Sequence, residues 1–406
     1  MLKAASPLSL PAYMRWVMIT TVAFVVVVAL FNVMIDPLGV FGSPKIVGLN
    51  AIKPHLDHHN ELVRWQAARR LCPNTGIFGN SRAEIGFDPE HDQFARNGLV
   101  AYNHAIPGTG ANMAYRQIER LKAAGCSART ILLGVEFFDF LGGAKPREKS
   151  LLKVRSESQL DGMFFAETVF SLAGLRDSLA TIALQRAPFP AVLTERGFNP
   201  LQNYTLEVQQ SGQYLLFRQR AEENLRNWSR LPRRLSPLEG GVSDDEQSVD
   251  AILVQAAESQ STVFLIIYPY HAQIRVMMEL LGLGELFSEW KKLIVAIATV
   301  HTDAGQKVEV WDFSGISQQT LETIPAPGDR ETAMEYFWES GHFKKALGDL
   351  AIAQLLGGQS GFGKKLDRSN VNEFLAIDHV RVQTILTTPS PLLRDVKEIL
   401  DRQNAR

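Results

Sequence analysis

The sequence predicts an α/β protein in which a parallel sheet lies between two layers of helices (a three-layer α/β/α architecture). It also predicts a helical insertion and an N-terminal transmembrane helix. Three observations lead to this prediction. About twenty uncharged residues stand near the N-terminus, short apolar runs alternate with helical runs, and residues 142–249 have a helical, charged and aromatic composition. A chain of 406 residues is long enough for one large domain with insertions or for two domains.

Composition and charge exclude several classes of protein. The net charge of −1 argues against a nucleic-acid-binding protein, which normally carries a basic excess. Thirty Gly and nineteen Pro argue against collagen-like or wholly disordered chains. Two Cys are too few for a disulfide scaffold or a Cys-rich metal site. We therefore expect no nucleic-acid partner, no metal and no cofactor.

The uncharged segment is residues 16–35, which read WVMITTVAFVVVVALFNVMI. As a helix with a rise of about 1.5 Å per residue, it spans a hydrocarbon core about 30 Å thick. The segment is longer than the apolar region of a cleaved signal peptide, and residues 33–35 offer no small-x-small cleavage motif. We predict an uncleaved signal anchor whose polar Asn32 lies near an end that interfacial water reaches.

The flanking charges predict how this segment is oriented. Lys3 and Arg15 precede it, whereas Asp36 follows it. The positive-inside rule then places residues 1–15 in the cytoplasm and the remainder of the chain outside. The expected location is the bacterial inner (cytoplasmic) membrane, crossed once, with the C-terminal domain in the periplasm or outside.

The segments after the anchor alternate between helix and strand. Residues 36–72 are predicted to be a linker that docks on the domain, with a helix at 61–71. An α/β domain is predicted over 73–357, with the insertion at 142–249, followed by a polar C-terminal tail at 358–406 with one helix near 393–403. The predicted strands of the domain are 76–78, 99–103, 130–136, 262–268 and 307–312, and its predicted helices are 113–124, 246–259, 284–304 and one that starts near Lys344.

The insertion contains one strand-like run, residues 214–217. Its charged stretches suit solvated helix faces, and the sharper alternative is a lid or a surface that lies against anionic headgroups or polymer. Cys72 and Cys126 each stand just before a predicted strand. If those two strands are neighbours, a disulfide fits an oxidising compartment, and two separate thiols are the alternative.

In an open parallel sheet, ligands bind beyond the carboxyl ends of the strands. That rule selects the residues that follow each strand: Ser81, Gly108 to Gly110, Glu136, His271, Asp312 to Ser314 and the loop 339–342. A serine on a sharp turn can act as a nucleophile beside oxyanion-binding N–H groups. A histidine near the chain end can be its general base, oriented by an acidic residue three positions earlier.

Several of these segments resemble the SGNH/GDSL hydrolase superfamily. The likeness rests on GNSR at 79–82, the Gly-bearing loop after the second strand and Glu339-x-x-His342. More narrowly, the chain is similar to membrane-anchored extracytoplasmic bacterial proteins of this kind, related to exopolysaccharide O-acetylation and D-alanyl transfer proteins. The segments that carry this narrower likeness are DP at 36–37, GLN at 48–50 with Lys53, LGVEFF at 133–138, WDFSG at 311–315 and WESGH at 338–342.

The resemblance implies an SGNH, flavodoxin-like fold with a catalytic triad. Ser81 would be the nucleophile, His342 the base and Glu339 its orienting acid. The backbone N–H groups of Ser81 and of Gly108 or Gly110 would form the oxyanion hole.

The chain departs from the superfamily pattern at Glu136, which stands where an amide donor is expected. An ionised carboxylate cannot donate a hydrogen bond to an oxyanion. Either Asn103 or Asn80 takes that place, or activity is weak or absent.

Other interpretations stay open at this stage. Ser81 and His342 can be a turn or helix-cap residue and a structural histidine. Arg82, Glu136 and His271 can bind substrate or serve only in packing and ion pairs, and Asp312 competes with Glu339 as the partner of His342. The cluster of histidines and Asp57 at 55–59 resembles a metal site, but its spacing fits a solvated helix start better.

Two functions therefore compete. The first is a serine esterase or O-acyltransferase that acts on a carbohydrate polymer or acylated glycan of the cell envelope. Its expected partner is an acyl-donor membrane protein, which would supply the acyl group. The alternative is a catalytically weak scaffold of the same fold for polysaccharide binding or assembly. A less favoured third is a lipid-directed esterase that uses the helical insertion as a lid.

Overall fold

The computed structural model of the protein describes residues 9–54, 60–142, 157–236 and 241–404. Within these residues the chain is a mixed α/β protein with a mostly parallel central sheet, fifteen α-helices and one apolar helix at its N-terminus. This confirms the predicted fold class at the level of secondary structure and sheet direction.

The described residues form eight strands in two sheets. The strands are β1 Thr75–Phe78, β2 Ala101–Asn103, β3 Thr130–Val135, β4 Thr262–Ile267, β5 Val308–Asp312, β6 Phe337–Glu339, β7 His342–Phe343 and β8 Lys364–Leu366. The large sheet has the order β2-β1-β3-β4-β5-β8, with β8 antiparallel at one edge, and β6 and β7 pair as a small antiparallel sheet. The order reverses between β1 and β3, which is the switch point where doubly wound sheets bind ligands.

Fifteen helices precede, connect and follow these strands. They are α1 Leu10–Ile35, α2 Asn60–Leu71, α3 Ser81–Gly86, α4 Asp92–Arg96, α5 Ala111–Ala123, α6 Glu157–Phe170, α7 Leu172–Leu184, α8 Tyr204–Ser211, α9 Gln213–Trp228, α10 Asp244–Glu258, α11 Ala272–Leu280, α12 Gly284–Asp303, α13 Lys345–Leu355, α14 Val371–Thr387 and α15 Pro391–Asn404. A short 3₁₀ helix, Phe137–Phe140, follows β3.

Two segments differ from the sequence prediction. The run 214–217 lies inside helix α9, because its buried residues Phe217, Ala221 and Leu225 continue at helical spacing. The tail contains β8 and α14 as well as the predicted last helix. Polar residues separate the buried residues of α14, so the sequence shows only a weak helical pattern of apolar residues there. The buried face is recognised only in the folded structure.

The chain divides into two compact units, residues 1–63 with 151–192 and residues 64–150 with 193–406. The predicted insertion at 142–249 is therefore shared between them. In the second unit the large sheet is the core, and the side chains of β1 are buried throughout. Cys72 and Cys126 form a disulfide with their Cα atoms 5.2 Å apart, next to the neighbouring strands β1 and β3.

In the first unit, one backbone N–H and two polar side chains bond to the carbonyl groups at the C-terminal end of α1. The last carbonyl groups of a helix have no partner within it. Here the Asn32 carbonyl accepts from the Asp36 N–H at 2.8 Å, the Met34 carbonyl from the Asn50 side chain at 3.1 Å, and the Ile35 carbonyl from the Lys53 ammonium at 3.0 Å. Asp36, Asn50 and Lys53 thus serve as the cap of the apolar helix.

Asn32 itself is buried rather than hydrated, which corrects the expectation that interfacial water reaches it. Its side-chain amide donates to the Val169 carbonyl at 3.0 Å and accepts from the Ser178 hydroxyl at 2.9 Å. These bonds join α1 to α6 and α7, because an apolar helix face satisfies a polar side chain only through partners on the helices packed against it.

We predict that Asn32→Ala lowers the free energy of unfolding of the full chain in detergent micelles by about 1–3 kcal/mol. The variant leaves the Ser178 hydroxyl and the Val169 carbonyl without their partner. Thr20→Ala is the matched control, because the Thr20 hydroxyl bonds only to carbonyls of its own helix. Equal losses in the two variants, measured by thermal unfolding, would contradict the role of Asn32.

Candidate active site

Ser81 lies on a sharp turn at the carboxyl end of β1, as the sequence predicts. Gly79 has φ +147°, and a Cβ atom there would overlap the Tyr268 hydroxyl. Ser81 is the first residue of α3. The helix cap is Asn80, whose side chain accepts from the Arg82 N–H at 3.0 Å, so Ser81 does not act as the cap. Its hydroxyl is thereby left for another partner.

That partner is His342, which lies 261 positions away in the sequence. The Ser81 Oγ and the His342 Nε2 are 2.8 Å apart. His342 begins β7 and pairs with Glu339 at the end of β6, across the turn formed by Ser340 and Gly341. The His342 Nδ1 bonds to the Glu339 carboxylate, so the three side chains form one hydrogen-bonded line.

The Glu339 carboxylate is almost fully buried, with 1% of its side chain exposed. Burial alone would raise its pKa, but His342, Arg220 and the Gly341 N–H together lower the pKa to about 2. The Gly341 N–H donates at 2.6 Å, and the Arg220 Nε lies 3.1 Å from the carboxylate.

An ionised Glu339 accepts hydrogen bonds only, so the His342 Nδ1 must carry the proton. In the neutral ring the Nε2 atom is then unprotonated and accepts the hydrogen bond of the Ser81 hydroxyl. This is the arrangement that general-base activation of a serine requires.

Arg82 and Glu136 bind each other beside Ser81. They form an ion pair, the Tyr270 hydroxyl donates to Glu136 at 2.7 Å, and the Arg82 guanidinium stacks 5.2 Å from the Tyr270 ring centre. Burial alone would lower the pKa of Arg82, but Glu136 and then Tyr270 outweigh it and raise the pKa. Glu136 therefore acts as the counter-ion of Arg82.

Tyr268 lies against the turn that carries Ser81 and was not predicted as a site residue. Its hydroxyl accepts from the Asn80 N–H at 3.4 Å, and a Cβ on either Gly79 or Gly134 would overlap it. Burial raises the pKa of Tyr268. The signal in the sequence that could have indicated this contact is Gly134, because a glycine inside a strand often marks a place where another group approaches the backbone closely.

The candidate oxyanion residues are placed differently from one another. Asn103 is fully buried, and its amide donates to the carbonyls of Ala83 and Phe87 at 2.8 and 2.9 Å. The Asn103 amide therefore holds α3 in place, and its N–H groups are not directed at an oxyanion. The loop that carries Gly108 and Gly110 is joined to the turn before Ser81 by a 3.0 Å hydrogen bond from the Ile106 N–H to the Gly79 carbonyl.

His271 and Asp312 are structural. His271 caps α11 by accepting from the Gln273 N–H at 3.1 Å, and its Nε2 lies 2.7 Å from the Glu322 carbonyl. Burial lowers its pKa to about 4, so the ring is neutral and both nitrogens are engaged within the protein. Asp312 pairs with Lys291 at 2.7 Å. The expectation that His271 binds substrate is corrected by these contacts, and Asp312 does not compete with Glu339.

The histidine cluster at 55–59 lies outside the described residues. Among the residues that are described, no group of three His, Cys, Asp or Glu side chains is placed to hold a metal ion. No family model, curated protein or solved structure matches the chain significantly. The functional case therefore rests on the residues and their geometry.

We predict that the stabilising effect of Glu339 is lost in acid. Its pKa is lowered from 4.5 to about 2, so its ionisation stabilises the fold above pH 4.5, and this contribution disappears as the pH falls to 2. The contribution is on the order of 3 kcal/mol. Unfolding of the wild type and of Glu339→Gln should therefore differ at neutral pH and converge near pH 2.

The exposed carboxylate of Glu331 provides the control for this titration. Glu331→Gln should differ little from the wild type at any pH, because an exposed surface charge contributes little to stability. A difference for Glu339→Gln that persists undiminished to pH 2 would contradict the buried, ionised carboxylate.

Proposed function

We propose that the protein is a membrane-anchored, extracytoplasmic serine esterase or O-acyltransferase of the SGNH type. Its substrate would be an acylated glycan or carbohydrate polymer of the cell envelope. One observation carries the proposal: the hydrogen-bonded line from Ser81 through His342 to Glu339, assembled at the carboxyl end of β1.

The reaction follows from the protonation states of these groups. The Ser81 hydroxyl attacks the acyl carbonyl carbon while its proton passes to the His342 Nε2. The tetrahedral intermediate collapses as the bond to the leaving oxygen breaks, and His342 returns the proton to that oxygen. Water or a sugar hydroxyl then attacks the acyl-serine with the same base, which releases a free acid or an acylated sugar.

The Glu339 carboxylate contributes by holding the imidazole and stabilising its charged form. Its low pKa keeps it ionised throughout the physiological range, so it never competes for the proton that moves between Ser81 and the substrate.

Backbone N–H groups are the favoured oxyanion donors. Ser81 is the first residue of α3, where an N–H has no partner within the helix, and the loop of Gly108 and Gly110 is joined to the same turn. Glu136 is engaged with Arg82 and cannot donate. A site that uses backbone donors alone is expected to turn over more slowly than one with an added side-chain amide, by about 10²–10³-fold.

Two features support a location outside the cytoplasm. The apolar helix α1 is long enough to cross a bilayer, and the Cys72–Cys126 disulfide suits an oxidising compartment.

An aromatic pair beside the site supports a sugar as substrate. In the β6–β7 hairpin, Trp338 contacts Tyr204 with ring centres 5.8 Å apart, which offers an amphipathic aromatic surface for a sugar ring.

The decisive experiment labels the full chain with a serine-reactive fluorophosphonate and locates the modified residue. We expect modification at Ser81, and Ser81→Ala should abolish it and lower turnover of a chromogenic acetyl ester by about 10⁴-fold. Ser340→Ala is the matched control, because this buried serine lies in the neighbouring turn and its hydroxyl has no hydrogen-bond partner among the described residues. Thermal unfolding of each variant checks that the fold is intact.

Undiminished labelling of Ser81→Ala would remove Ser81 from the mechanism. The ion-paired Glu136 favours the alternative function, a scaffold that binds polysaccharide without acyl chemistry. Absence of labelling in the wild type, together with retained binding of the glycan, would support that alternative.

A further inference from the structure

The first unit contains a helical hairpin, α6 with α7, that packs against the last turns of the apolar helix α1. The residues of α1 that it helps to bury are Val28, Asn32 and Ile35, which lie on one face of the helix. At about 1.5 Å per residue, these residues cover roughly 10 Å of the helix axis. The hairpin therefore lies alongside the C-terminal part of the helix that is apolar enough to cross a membrane.

The contact between these helices has the chemistry of helix packing in lipid. Gly174 and Ser178 lie four residues apart on α7 and both face Asn32. A Cβ atom on Gly174 would overlap the Thr168 carbonyl of α6, so a small residue is needed for this approach. Small residues at i and i+4 with hydrogen bonds between helices are typical where no hydrophobic force favours one apolar partner over another.

The tip of the hairpin satisfies its own polar groups. The Val169 carbonyl accepts from the Asn32 side chain, and the Ser171 hydroxyl accepts from the Gly174 N–H at 2.9 Å. The Thr168 hydroxyl donates back to the Phe164 carbonyl at 2.8 Å. Irregular backbone at membrane depth is tolerated only when its N–H and C=O groups are paired within the protein.

The outer surface of the tip is apolar. Phe170 and Leu172 are 61% and 74% exposed, and further along α7 Leu179 is 55% exposed, although most large apolar side chains in a folded domain are covered. Ala173, Ala180 and Ala183 continue the same exposed face. Among the described side chains of residues 164–184, the exposed charged ones are Glu167 and Arg176, which must reach headgroups or water.

We propose that the α6–α7 hairpin is an interfacial membrane element, whose tip inserts Phe170 and Leu172 among the acyl chains of the bilayer that α1 crosses. Residues 16–35 span about 30 Å, so Asn32 lies at or inside the edge of the hydrocarbon layer, and the hairpin tip bonded to it lies at the same depth. Helices of fourteen and thirteen residues are too short to cross this layer. Glu167 and Arg176 limit the insertion to the tip.

The proposal rests on the placement of α1 in a bilayer and not on the chemistry of Ser81. A lipid surface is favoured over a helix of another membrane protein, because the hairpin packs beside the same part of α1 whose large apolar side chains Val27, Leu30 and Met34 are exposed.

The experiment uses the full chain reconstituted in vesicles of phosphatidylethanolamine and phosphatidylglycerol with no other protein. Both native cysteines are in the disulfide, so a single introduced thiol is labelled selectively with an environment-sensitive fluorophore under non-reducing conditions. Phe170→Cys and Leu172→Cys report the tip. Val26→Cys, in the middle of α1, reports the anchor, and Arg186→Cys, beyond the far end of α7, is the aqueous control.

We expect the labels at both tip positions to show blue-shifted emission that lipids with nitroxide-bearing acyl chains quench, as the label at Val26 does. The label at Arg186 should show neither effect. Quenching at Val26 with none at either tip position would overturn the hairpin proposal. If the tip were then found shielded in native membranes, its occupant would be a partner protein and not lipid. Loss of quenching at Val26 as well would instead contradict the anchor.

Discussion

The candidate site depends on one constraint, the burial of the Glu339 carboxylate next to a two-residue turn. An ionised carboxyl loses several kcal/mol of hydration on burial and must recover it from protein groups. Glu339 does so with the His342 ring, the Gly341 N–H and the Arg220 guanidinium. Because these partners occupy fixed directions, the imidazole is restricted to one orientation and one tautomer, and its free nitrogen faces Ser81.

The helix that begins at Ser81 is held in place by the same physical rule. Glu84 of α3 is buried and forms an ion pair with Arg64, which is also buried and donates to the Asn103 carbonyl at 2.7 Å. The Asn103 amide in turn donates to the carbonyl of Ala83, in α3, and to that of Phe87, the residue that follows the helix. Asn103, which the sequence offered as an oxyanion donor, is thus used to keep a six-residue helix in place, because so short a helix is not stable through its own hydrogen bonds.

The predictions for individual residues succeeded where a local rule was sufficient. Ser81 follows a strand that is buried on both faces, and the turn needs Gly79, so its position at the sheet edge could be predicted. His271 obeys the same strand-end rule, yet its ring caps a helix and touches Phe217 and Phe337. A strand end determines where a residue lies, whereas its neighbours from distant segments determine which of its atoms remain available. Tyr268 and Arg220 were missed for that reason, since their roles depend on contacts with Gly79 and Glu339.

The sequence by itself determined the apolar N-terminal helix, the alternation of strands and helices and the turn at Ser81, because hydrophobic periodicity and glycine conformation act over a few neighbouring residues. Only the tertiary structure decided that His342 meets Ser81, that Cys72 meets Cys126 and that Asn32 lies between α6 and α7. It also decided that Glu136 is bound to Arg82. These pairings join residues that are 54 to 261 positions apart in the chain, and no local pattern records which distant group will offset the cost of burying a polar one.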